Sequence, residues 1–140
     1  MQRVDLRGAN LSKAIFNDAD LSSALLAATI VTKAQFKNAN LARINLSSLD
    51  LSGVNFEAAN LKSCDLSGAN LSEANLSKSN ITDATLFNIN SIGWDIGGIR
   101  CEFAYWDQGA NSQLHHVHSS APTTSKLLLS NRRSIRWRDR

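Results

Sequence analysis

From Leu6 to Leu86 every fifth residue is apolar, running Leu6, Leu11, Phe16, Leu21 and on to Leu76, Ile81 and Leu86, with no residue inserted or lost. A period of five fits neither common secondary structure. On a helix, at about 100° per residue, successive members of the series stand roughly 140° apart and make no stripe. On a flat strand side chains alternate with period two, so an odd repeat sends Leu6 and Leu11 to opposite faces. The chain must therefore turn once in every unit.

The other positions of the unit say how. Two residues before each central apolar residue stands a small one, as at Ala9, Ala14, Ala19, Ala34, Ala39, Ala59, Ala69 and Ala84. Val4, Ile44, Leu49 and Val54 are larger occupants of that position. One residue before the centre is usually Asn or Asp, and one after is often Ser or Thr, so the unit reads Ala-Asn-Leu-Ser-x. Apolar steps of two, then three, keep every small and central residue inside if each unit is a short extended pair followed by a turn. That is a coil with one five-residue unit per side.

The phenylalanines count the sides. Phe16, Phe36 and Phe56 recur every twenty residues, and no other central position up to Leu86 is aromatic. Rings gain from stacking, so a twenty-residue coil with four sides puts all three in one column. Gly8, Gly53, Gly68 and Gly93 fall two residues after the centre, where a corner favours positive φ.

With these residues in view, positions 4 to about 93 resemble the pentapeptide repeat family, whose unit is A(D/N)Lxx. The resemblance implies an all-β fold, a right-handed four-sided (quadrilateral) β-helix solenoid. The expected organisation is a repeat rod over 1–93, a C-terminal cap over 94–107, and a polar linker with a basic tail over 108–140.

Charge divides along the same lines. Residues 1–96 hold eight Lys/Arg against nine Asp/Glu, net −1, and residues 97–140 hold seven against three, net +4. The basicity belongs to the tail. No apolar run reaches the eighteen or more residues of a membrane-spanning helix, and the repeat begins by Val4 without a leader pattern, so a cytoplasmic protein is expected. Two cysteines, Cys64 and Cys101, make no disulfide framework.

Departures from the repeat are where a specific role can enter. Ile15, Leu25 and Ile30 stand where an outward polar residue belongs. With Ala27 and Ala28 they either form an exposed apolar contact surface for another protein or fold into the wall or under the tail. At the N-terminal end only Met1, Gln2 and Arg3 precede the first coil. Solenoid ends need covering, so a frayed coil, a second subunit and a longer parent chain all stay open there. After Leu86 the repeat decays through Ile89, Ile92, Trp94, Ile96 and Ile99, followed by Phe103, Tyr105 and Trp106. This group reads as a lid, alone or shared in a homodimer through that end; the resemblance adds that gyrase-protecting members commonly join two rods by C-terminal elements. Residues 111–125 read as a linker. Lys126 to Arg140 carries apolar residues among Arg132, Arg133, Arg136, Trp137 and Arg138, a composition for a short basic amphipathic helix or a disordered tail.

Catalytic chemistry is not legible. His115, His116 and His118 have no Cys or carboxylate ligand beside them, and no histidine occurs before them to pair with a rod serine. Neither a cofactor nor a small-molecule substrate is expected, because side chains pointing outward from a rod gather no deep pocket. Three functions remain. The first is a non-enzymatic scaffold binding an unidentified protein partner through Leu25 and Ile30. The second, implied by the resemblance, is a DNA mimic bound to DNA gyrase or topoisomerase IV in quinolone protection; it needs a dense acidic surface, which Lys33, Lys37, Arg43, Lys62 and Lys78 interrupt. The third is attachment to nucleic acid or an anionic membrane through the basic tail.

Overall fold

A computed structural model describes residues 4–105, Ser125–Leu129 and Ser134–Asp139. In it each five-residue unit makes one side of a coil. The carbonyl of the central residue accepts from the amide three residues on, as Leu6 O does from Ala9 N at 3.1 Å and Phe56 O from Ala59 N at 2.9 Å. The residue two after the centre takes positive φ at every corner from Gly8 to Gly98 except Ser23, with 69° at Gly8, 62° at Lys13 and 65° at Gly98. That is the third residue of a type II turn, and it bends the chain through the corner. The Asn or Asp before the centre braces the corner: its Oδ1 accepts the amide two residues on, as Asn10 does from Ser12 at 3.1 Å and Asn75 from Ser77 at 2.9 Å.

Four units close one coil of twenty residues. Side 1 carries Asp5, Leu25, Asn45, Asp65 and Thr85 at the outward position. Side 2 carries Asn10, Ile30, Asp50, Asn70 and Asn90. Side 3 carries Ile15, Gln35, Asn55, Asn75 and Asp95, and side 4 carries Asp20, Asn40, Asn60 and Asn80. Parallel pairings join residues twenty apart, among them Asn40 with Asn60 and Asn60 with Asn80. Taken from Val4, the coils are residues 4–23, 24–43, 44–63, 64–83 and 84–103.

The core is a filled axis. Leu41, Leu51, Leu61, Leu66, Leu71 and Leu76 are fully buried at the centres, and Ala34, Ala39, Ala59, Ala69 and Ala84 in the small columns beside them. The phenylalanine column forms as expected. The rings of Phe16 and Phe36 lie 5.3 Å apart at 8°, and those of Phe36 and Phe56 5.5 Å apart at 15°, an offset parallel stack. Outside, amides form ladders: Asn40 Nδ2 donates to Asp20 Oδ1 at 3.1 Å and Asn60 Nδ2 to Asn40 Oδ1 at 3.0 Å. The hydrogen bonds that Asp20 accepts from Ser22, and less so from Asn40, hold its carboxyl below the usual range.

Two expectations about the far end are corrected. The repeat does not stop at residue 93: Asn75 pairs with Asp95, Asn80 with Arg100 and Thr85 with Tyr105. Trp94, Ile96, Ile99 and Cys101 are partly buried against the core as inward residues of the fifth coil rather than as a separate lid. Large side chains in the small column hid this continuation from the pattern. The second correction concerns the tail. Strands β1 (Phe103–Tyr105), β2 (Ser125–Leu129) and β3 (Ser134–Asp139) form a sheet in the order β1-β3-β2, antiparallel throughout. The helix or disordered tail expected over 126–140 gives way to strands: Ile135 and Trp137 alternate with Arg136 and Arg138, a period of two and not 3.6. The linker expected over 111–125 lies, apart from Ser125, outside the described residues.

Candidate protein-contact surface

The repeat normally places a hydrogen-bonding side chain before each centre, and the second coil breaks this rule on two consecutive sides. Leu25 is half-buried on side 1 and Ile30 is 51% exposed on side 2. The corner between them carries Ala27 and Ala28, both exposed. An aspartate or asparagine at 25 or 30 would brace its corner; leucine and isoleucine offer no acceptor, so these two corners lack that bond. The four residues form one apolar ridge where neighbouring coils show Asp5, Asn10, Asn45 and Asp50.

Ile15 does not join them. It is 73% exposed but stands on side 3 of the first coil, across the rod from side 1, beside Gln35. Nearness in sequence misled here, because five residues of chain turn one full corner. Of the tail residues, Arg132 and Arg133 lie outside the described residues. Arg136, Trp137 and Arg138 lie on β3, in register with Leu128, Leu127 and Lys126 of β2.

Against the ridge, sides 1 and 2 hold an open depression lined by Ala24, Leu25, Leu26, Ile44 and Leu49 together with Arg7 and Arg43. Arg7 is already engaged, its guanidinium 2.7 Å from Asp5. Ile44 and Leu49 were visible in the sequence as oversized occupants of the small column, yet their place next to Leu25 emerges only once the coil is closed. Elsewhere charges are paired in a mixed pattern. Glu57 on side 3 lies 3.0 Å from Lys37 and 3.6 Å from Lys78. The Lys37 ammonium holds the Glu57 carboxyl below its ordinary range, with a smaller effect from Lys78.

No cluster of three metal-ligating side chains forms among the described residues. Cys64 is buried in the side 1 small column, its Sγ donating to Leu41 O at 2.8 Å. Burial pushes its thiol up to about 12, which keeps it protonated and unreactive.

The comparisons agree with this architecture. The family model described as pentapeptide repeats matches in eight copies over residues 1–27, 30–68 and 50–88. Among solved structures, a pentapeptide repeat protein of the Arabidopsis thaliana thylakoid lumen is 30% identical over 68% of this chain, at a TM-score of 0.52. The pentapeptide repeat protein Rfr23 of the cyanobacterium Cyanothece 51142 is 31% identical over 74% of it, at 0.59. The matched region spans 63% and 64% of those two chains. QnrB1, a plasmid-mediated fluoroquinolone resistance protein, is 20% identical over 71% of this chain and 63% of its own, at a TM-score of 0.38. A search of curated proteins finds no significant match. The repeat in the sequence, the four-sided coil built from it and the family match over most of the rod agree: the chain belongs to the pentapeptide repeat family and folds as a right-handed quadrilateral β-helix.

Proposed function

We propose that this protein is a non-enzymatic binding module that presents the Leu25–Ala27–Ala28–Ile30 ridge to a protein partner. The observation that carries the proposal is the exposed ridge itself. Apolar side chains stand at two successive positions where the repeat supplies Asn or Asp, and at Ile30 half of the side chain faces solvent. Burying such a ridge against a partner gains roughly 25 cal/mol for each Å² of apolar surface covered. Exposed apolar groups on a rigid frame mark contact surfaces more often than isolated ones do.

The surface weighs against the DNA-mimic reading. The rod of residues 1–96 has a net charge near zero, and its acidic groups are interleaved with lysines, as Glu57 is with Lys37 and Lys78. A duplex carries a phosphate every few ångströms on each strand, and nothing here approaches that density.

The test compares wild type with Ile30→Asp as bait in affinity capture from the native host, with far-ultraviolet circular dichroism on both. The expected result is an unchanged β spectrum and loss of the principal captured protein. Capture of the same protein by Ile30→Asp contradicts the proposal. Unfolding of the variant does so too, because it makes Ile30 part of the core.

A further inference from the structure

Successive coils are held by a regular backbone ladder, and one interval lacks nearly half of it. Between the third and fourth coils Leu46 N donates to Asp65 O at 2.8 Å, Ser48 N to Ser67 O at 2.8 Å and Asp65 N to Ile44 O at 3.2 Å. Between the second and third, the corresponding bonds of Leu26 N with Asn45 O, Ala28 N with Ser47 O, and Val31 N with Asp50 O are missing. So are those of Asn45 N with Ala24 O and Asp50 N with Thr29 O. The pairings of Leu25 with Asn45 and of Ile30 with Asp50 are missing as well. Among the described residues the other intervals are continuous apart from two corner bonds, that of Ser23 N with Ala42 O between the first and second coils and that of Asp83 N with Glu102 O near the end.

The gap covers side 1 and runs along side 2 as far as Val31; at the next corner Lys33 N still donates to Ser52 O at 3.0 Å. On sides 3 and 4 the same two coils remain joined: Phe36 N to Asn55 O at 2.8 Å, Leu41 N to Asn60 O at 2.9 Å and Asn60 N to Ala39 O at 2.9 Å. The Phe36–Phe56 stack and the Asn40–Asn60 amide bond reinforce those sides.

Three departures from the repeat converge on the gap. Ser23 is the one corner residue between Gly8 and Gly98 without positive φ, and the missing bonds begin at its amide. A corner of another turn type sends the chain out on a different line. Leu25 and Ile30 lack the side-chain acceptor that braces other corners. Ile44 and Leu49 then place four-carbon side chains in the small column directly above Ala24 and Thr29, where the next coil has Cys64 and Ala69. Overfilling a packed column pushes its neighbours apart.

We infer that the rod is hinged at this seam: the first two coils and the remainder are rigid blocks that open on sides 1 and 2 about the intact sides 3 and 4. Opening breaks at most one main-chain ladder bond, Lys33 N to Ser52 O at the corner where side 2 meets side 3, because the others on the moving sides are already missing. It exposes Leu26, Val31, Ile44 and Leu49, all now buried. The inference rests on the ladder alone and holds whether or not the ridge binds a partner.

Two measurements on the full chain test it together. Amide hydrogen exchange is read first. The amides of Leu26, Ala28, Val31, Asn45 and Asp50 exchange at least about a hundredfold faster than Leu46, Ser48, Leu51, Asp65 and Asn70, their equivalents one coil on, as local opening allows. Thiol accessibility is read second, in Thr29→Cys with Cys101→Ser. Thr29 is buried at the seam, 5% exposed, and cysteine is close to it in size. Its thiol is alkylated at least about tenfold faster than Cys64 of the same folded molecule. Equal exchange in the two sets overturns the hinge. Fast exchange with a thiol at 29 as inert as Cys64 overturns it too, since the gap is then a fixed feature. If Thr29→Cys does not fold, Ala24→Cys on the adjacent side 1 column reports the same opening.

Discussion

Replacing Phe36 with alanine will destabilise the rod by about 3–5 kcal/mol and lower its melting temperature by on the order of 10 °C. Phe36 is 2% exposed and lies between two rings, with centroid distances of 5.3 Å to Phe16 and 5.5 Å to Phe56. Alanine leaves a cavity on the axis of a solenoid, where each coil rests only on its neighbours and no larger core can collapse into the space. Both ring contacts are lost at once. Phe16, partly buried on the first coil, has one ring neighbour, so Phe16→Ala will cost markedly less. Denaturant unfolding of the two variants measures both. A loss below about 1 kcal/mol at Phe36, or an equal loss at the two sites, contradicts the packing described here.

The second large effect is a reversal of what deletion length suggests: removing one residue will damage the protein more than removing twenty. Deletion of residues 61–80 joins Asn60 to Ile81, and every later residue keeps its side and its inward or outward sense. The product loses one coil and the nearest-neighbour energy of one interval. It should remain a β-rod with a cooperative transition at lower temperature. Deletion of Asn60 alone shifts Leu61 into an outward position and displaces each following unit by one. A one-residue slip in extended chain turns buried side chains to solvent. The variant should lose most of its β signal in circular dichroism or fail to accumulate in soluble form. A well-folded one-residue deletion beside an unfolded twenty-residue deletion contradicts a four-sided repeat.

The architecture was legible because identical physics is repeated at each unit. Leu, Ala and Asn at fixed offsets encode centre, corner and brace, and Phe16, Phe36 and Phe56 encode the number of sides. The resemblance named the family, and the match over residues 1–27, 30–68 and 50–88 established it. What the pattern hid lies where one residue answers to two influences. Trp94 and Ile99 are too large for a small column read in isolation, yet the fifth coil accommodates them as inward residues. Leu25 and Ile30 were visible as exceptions. Their grouping with Ala27 and Ala28, and the separation of Ile15, depended on which corner each side chain meets. The seam needed more: Ile44 and Leu49 acquire meaning only against the residues twenty positions earlier, and nothing in the letter Ser at 23 announces a corner of different φ. The pairing of β2 with β3 was within reach of the alternation in Ile135–Arg138, which the arginine content obscured.

The central claim is that the apolar residues of the second coil are kept for contact and not for folding. The most direct measurement is the thermal midpoint of the double variant Leu25→Asn and Ile30→Asn. Asparagine at those positions restores the corner brace found at Asn45 and Asn10. The account predicts a midpoint equal to or above that of wild type, with the loss of partly exposed apolar surface offset by two new side-chain hydrogen bonds, each contributing about 1 kcal/mol. A fall of on the order of 10 °C would show that Leu25 and Ile30 hold the rod together and would contradict the account.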